Sequence, residues 1–307
     1  MARNHVSGLP VFGIVSDVRL RAAADRLPVD DIVAIKATHG IRAPAYEVAL
    51  FGNSRAVMVG HRHIGLDEGR FFNFAVGGTS FQQSVVMLER LVVAGKAPRT
   101  ALISLDNLDM NFYGGVSWPF VLGDPGRAIR DARDIWNLGF RNPLRIAIEP
   151  ARLTLNQTIS FMNAKRMGAY LTLLGGGELA TGILYATDGA RTPGPASPLS
   201  QIDMLVHPMP NAYHQYHLRS YMNRLGGLRQ AGTRIVVYES PVHPSLIPEV
   251  EKNRRPDTAS FRRELAALCE RAGVACLPAP ELVTDDPWPD CCHAPADALG
   301  SFLRRLL

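Results

Sequence analysis

The chain has 307 residues, 47% hydrophobic and 20% charged, with a mean hydropathy near zero, which supplies a sizeable buried core and excludes fibrous and disordered classes. Its 33 Lys and Arg against 28 Asp and Glu leave a net charge of +5, yet the basic residues are scattered and no block resembles a nucleic-acid-binding arm. The longest apolar run near the start, residues 8–15, is too short to span a bilayer, contains Pro10 and lacks the order of a signal peptide, so the chain as written reads as soluble.

Residues 1–45 show no clear period and read as an extension wrapping the outside. A first buried strand is expected at 47–51 (EVALF) and a second at 71–76 (FFNFAV), each a short apolar run bounded by turn formers. Residues 81–94 carry helical spacing, with Val85, Leu88, Val92 and Val93 on one side, and 101–105 (ALISL) reads as the third strand. The stretch 106–232 is too long for one crossover. It holds expected helices near 128–136 and 153–165 and a Gly- and Pro-dense loop at 187–198, and reads as an insertion covering one end of a sheet.

A helix at 213–230 places Leu218, Tyr221, Met222, Leu225 and Leu228 on one face, followed by a strand at 234–238 (RIVVY). A helix at 260–272 with Phe261, Leu265 and Leu268 leads into a strand at 274–277 (VACL), and 296–307 reads as a final helix. There is no internal repeat. Strands alternating with helices predict a three-layer α/β/α sandwich around a five-stranded, mostly parallel sheet, because parallel neighbours need long crossovers.

In an open parallel sheet, ligands bind at the carboxyl ends of the strands, so the residues there carry the chemistry to be expected. Gly52-Asn53-Ser54-Arg55 after the first strand suits a tight strand-to-helix turn presenting the Ser54 hydroxyl, or equally a serine that caps a helix. Residues 73–80 contain Gly77 and Gly78, which let the backbone approach a ligand with an N–H free to donate, or form an ordinary turn. Asp106-Asn107-Leu108-Asp109 supplies an amide and carboxylates, or an Asx turn. Asp290-Cys291-Cys292-His293 places a carboxylate three residues before an imidazole, the spacing for a base and its orienting partner, or a solvated loop.

The four blocks in this order resemble the SGNH (GDSL-like) hydrolase superfamily, over residues 46–307 apart from the insertion. The Gly-x-Ser-Arg form of the first block is similar to a divergent branch associated with envelope polysaccharide modification. The resemblance implies a flavodoxin-like sheet, Ser54 as nucleophile, His293 as base and Asp290 as its partner. It also implies an oxyanion hole from the N–H groups of Ser54 and Gly78 and the Asn107 amide, with Asn73 opening the second block. Two departures stand out: Asn53 and Arg55 replace the family's Asp and Leu, and Asn107 fits only after a one-residue shift, because Asp106 occupies the family position. A carboxylate there would oppose a developing oxyanion.

The activity so implied is that of a serine esterase or O-acyltransferase on O-acyl, chiefly acetyl, groups of a carbohydrate or polysaccharide, with no cofactor. The family's envelope association implies an extracytoplasmic home, while the lack of a signal-peptide pattern points the other way and leaves the location open. The alternative is a catalytically inactive relative with a carbohydrate-binding or assembly role, favoured by Asp106. Trp118, Tyr113, Arg127 and Arg130 of the insertion are candidates to line a groove. Metal binding is not expected: His61 and His63, and His214 and His217, have no acidic third ligand beside them. Gly175-Gly176-Gly177 lacks the residues of a phosphate loop. Cys269, Cys276, Cys291 and Cys292 lack zinc-knuckle spacing and leave a disulfide open, without fixing its pairing.

Overall fold

Short, largely apolar runs form strands covered on both sides, and every residue of 48–51 and 100–105 is buried in the computed structural model. It describes residues 36–37, 39–77, 79, 81–105, 188–191, 212–247, 258–282, 284–290 and 293–307. The strands are β1 (Val48–Phe51), β2 (Phe71–Asn73), β3 (Thr100–Leu105), β4 (Arg234–Glu239) and β5 (Ala275–Leu277). They form one sheet in the order β2-β1-β3-β4-β5, every pairing parallel. Val48 stands opposite both Phe71 and Thr100, which sets β1 next to the centre of the sheet. The order and the helices on both faces make a flavodoxin-like three-layer sandwich.

The helices are α1 (His61–Ile64), α2 (Phe81–Val93), α3 (Ala212–Gln230), α4 (Thr258–Ala272) and α5 (Ala296–Arg304). Side chains of successive strand residues point to opposite faces, and the core divides accordingly. Ala49, Phe51, Ala101, Ile103, Ile235 and Val237 join α2, α3 and α4 in one buried cluster. Val48, Leu50, Leu102, Val236 and Tyr238 join the 56–66 segment and α5 in another. Each fully buried Leu or Phe contributes about 2 kcal/mol of transfer free energy, so both clusters stabilise the sheet.

Two expectations change. Val93, expected on the buried face of α2, is 89% exposed, because it lies roughly 100° round the helix from the partly buried Val92. β5, expected to be covered on both faces, is an edge strand with Ala275 exposed and Cys276 and Leu277 half-buried. A disulfide between Cys269 in α4 and Cys276 ties this edge to the helix before it. Residues 212–230 of the stretch read as an insertion form α3, which packs on α2 and α4; the expected helices at 128–136 and 153–165 lie outside the described residues. Of residues 1–45, Lys36 and Ala37 are buried in helical backbone. No helix among the described residues is long and apolar enough to cross a membrane.

Candidate active site

At the carboxyl end of β1 the chain must turn within a few ångströms of β3, and only glycine fits. A Cβ on Gly52 would lie 2.6 Å from Ser104 Cβ, and the residue has φ +152°, a region that side chains disfavour. The turn continues through hydrogen bonds typical of short turns: the Asn53 side-chain oxygen accepts from Arg55 N–H at 3.0 Å, and the Asn53 carbonyl from Ala56 N–H at 3.2 Å. Ser54, half-buried, sits inside this turn. Residues 54–58 are turns rather than the expected helix start, and the first helical residue is His61.

The second block closes on the first. Gly52 carbonyl accepts from Val76 N–H at 3.0 Å and from the Thr79 hydroxyl at 2.9 Å. Gly77 lies directly against Ser54: a Cβ built on it would be 3.6 Å from Ser54 Cβ. Asn73, wholly buried, donates its amide to the carbonyls of Ala56, Val57 and Val59 at 2.9, 3.2 and 2.8 Å, while its oxygen accepts from Ala75 N–H at 2.8 Å. Its place in the site is therefore to fasten β2 to the turn that carries Ser54.

Behind this loop lies a charged group that sequence reasoning missed. Lys36, 5% exposed, donates to the carbonyls of Asn73, Ala75 and Gly189 at 3.0, 2.6 and 2.8 Å. Burial pulls its ammonium from the ordinary value down to about 7, opposed by the negative charge of Asp188. Asp188, 2% exposed, accepts from the backbone N–H and ring Nδ1 of His61 at 2.6 and 2.7 Å. The same carboxylate, after burial, helps push the Tyr46 phenol up to about 12. The Asp-Gly pair at 188–189 was the only available signal, inside a stretch read simply as loop. Gly189 is required there, since a Cβ would lie 2.4 Å from the Asn73 carbonyl oxygen.

The Asp290 and His293 candidates meet as expected. Asp290 accepts the His293 backbone N–H at 2.8 Å and stands 2.6 Å from ring Nδ1. An ionised Asp290 makes Nδ1 the protonated nitrogen, leaving Nε2 bare to accept a proton. Trp288, two residues earlier, packs its ring at 5.3 Å, edge-on, against His243 in the segment following β4. Ala294, which follows His293, belongs to the same buried cluster as Ala56 and Val57, two and three residues after Ser54, on the α5 face of the sheet. Among the described residues no hydrogen bond joins Ser54 Oγ to the His293 ring.

Gly78, Asn107 and Asp106 lie outside the described residues, as do Cys291, Cys292, Trp118, Tyr113, Arg127, Arg130 and 175–177. His61 is committed to Asp188, and His63 Nδ1 accepts from Gly60 N–H at 2.7 Å; the side chains of His214 and His217 are outside the described residues. An open cleft of about 620 Å³, lined by Tyr46, Glu47, Arg70, Arg99 and Gly232 among others, lies at the amino ends of the strands, away from Ser54. No family model matches the chain, and no curated protein matches it.

Proposed function

We propose that the chain is a serine esterase or O-acyltransferase of the SGNH kind, acting on O-acyl, chiefly O-acetyl, groups of a carbohydrate or polysaccharide. The observation that carries the reading is the Asp290 carboxylate holding both the ring and the backbone N–H of His293, with Ala294 in the same buried cluster as the turn after Ser54. A base oriented in this way, a serine in a glycine-opened turn and a loop packed on that serine are the parts that acyl transfer needs.

In this mechanism Ser54 Oγ attacks the ester carbonyl carbon while its proton passes to His293 Nε2. The negative oxygen is held by the N–H groups of Ser54 and Gly78 and the Asn107 amide, each such donor being worth roughly 3–4 kcal/mol of barrier. The intermediate collapses, the C–O bond to the alcohol breaks, and His293 returns the proton to the leaving oxygen. Water or a sugar hydroxyl, deprotonated by His293, then attacks the acyl-serine and regenerates Ser54, releasing an acid or a new ester.

The test compares the wild type with Ser54→Ala on p-nitrophenyl acetate and acetylated xylan; equal rates reject the proposal. A second reading, a non-catalytic carbohydrate-binding or assembly protein, is favoured by Asp106, a carboxylate at the family's Asn position that would oppose a developing oxyanion. Covalent labelling of Ser54 by a fluorophosphonate separates the two, since a serine with no activating base stays unlabelled.

A further inference from the structure

We propose that Lys36 is a positioning residue: its buried ammonium gathers the carbonyls of Asn73, Ala75 and Gly189 and thereby fixes the 74–77 loop against Ser54. This rests on the esterase reading for its catalytic consequence, although the clamp itself is a statement about geometry. An ammonium has three donors, and three backbone oxygens lie within 3.0 Å of Nζ, from the end of β2, the loop beyond it and the 188–191 segment. Without the lysine these buried carbonyls would face one another with no proton between them.

One peptide plane shows what the clamp accomplishes. The Ala75 carbonyl points to Lys36 and, in a trans peptide, the N–H of the next residue points the other way: Val76 N–H donates to Gly52 at 3.0 Å. Lys36 and Gly52 therefore grip the Ala75–Val76 peptide from opposite ends, which sets the direction of the chain entering Gly77 beside Ser54. Asn73 secures the facing side by holding the carbonyls of residues 56, 57 and 59. Asp188 stands as the counter-charge, itself held by His61.

The experiment uses the full chain carrying Lys36→Met, read by peptide-level hydrogen exchange and by ester hydrolysis of p-nitrophenyl acetate. The expected result is exchange about tenfold or more faster in peptides covering 71–80, with peptides of α4 and α5 unchanged. Alongside it, kcat falls about 100-fold with KM within about twofold, the pattern of lost transition-state geometry rather than lost binding. Unchanged exchange and unchanged kcat overturn the clamp and leave the esterase reading intact. An inactive wild type with accelerated exchange confined to 71–80 keeps the clamp and removes the esterase reading. If Lys36→Met does not fold, Lys36→Gln, which still offers two N–H donors, gives a smaller change in the same peptides; loss of fold in both variants overturns the proposal, because Lys36 would then support the whole domain rather than one loop.

Discussion

Replacing Asn73 by Ala removes the side chain that bridges β2 to the turn carrying Ser54. Asn73 is wholly buried, its amide nitrogen lies 2.8–3.2 Å from three carbonyls, and its oxygen takes the Ala75 N–H at 2.8 Å. Two amide protons serve three acceptors, so at least three independent hydrogen bonds are lost, and their partners sit where water cannot replace them. At roughly 1–2 kcal/mol each, the destabilisation is about 3–6 kcal/mol. For 307 residues with an unfolding entropy of roughly 2.1 cal/mol/K each, one kcal/mol is worth about 1.5 °C, giving a Tm lower by about 5–9 °C. Circular-dichroism melting and urea midpoints measure this. Asn73→Asp sharpens the test: it keeps an acceptor for Ala75 but sets a carboxylate against three carbonyls, so at neutral pH it is less stable than Asn73→Ala and recovers as acid protonates it. A fall below about 2 °C for Ala, or an Asp variant as stable as the wild type, refutes the assignment of those bonds.

Gly52→Ala sets a methyl 2.6 Å from Ser104 Cβ at a φ of +152°, and loses about 2–4 kcal/mol in urea unfolding; a loss under about 1 kcal/mol contradicts the steric argument. The Cys269–Cys276 bond closes a seven-residue separation, for which chain entropy gives about 2.5 kcal/mol, so urea midpoints measured with and without reductant differ accordingly; identical midpoints contradict this. Lys36 is depressed to about 7 in the folded state, so its contribution to stability is full above the ordinary lysine value and is lost as pH falls through about 7. Between those limits stability rises by up to about 1.4 kcal/mol per pH unit, and Lys36→Met, compared by Tm across that window, removes the rise. Asp290→Asn leaves the fold intact and lowers kcat on p-nitrophenyl acetate by roughly 10⁴-fold, because the ring loses its enforced tautomer; an unchanged kcat removes Asp290 from the proposed triad.

The strands were legible because a sheet covered on both faces selects apolar side chains at nearly every position, as in residues 235–238 and in 101–105, where the one polar side chain, Ser104, is bonded to the Ser240 hydroxyl. β2 is shorter than the apolar stretch FFNFAV for a reason the residues contain: pairing stops at Asn73, whose side chain takes the Ala75 N–H, while Val76 turns its N–H to Gly52. The Asp290–His293 pair could be read because both partners lie three residues apart. Lys36 could not, since its partners are backbone carbonyls, which leave no trace in residue type, and one of them lies 153 positions away. His61 was read only as a possible ligand, because its carboxylate partner, Asp188, lies 127 positions away.

The sheet divides the molecule into two structural compartments, and the residues after Ser54 and His293 root in the one shared with α5, while α2, α3 and α4 pack on the other. Phe74 and Val76, from the loop set against Ser54, nevertheless reach into that second compartment, so an engineer recasting the α2–α4 layer has to keep their contacts as fixed anchor points.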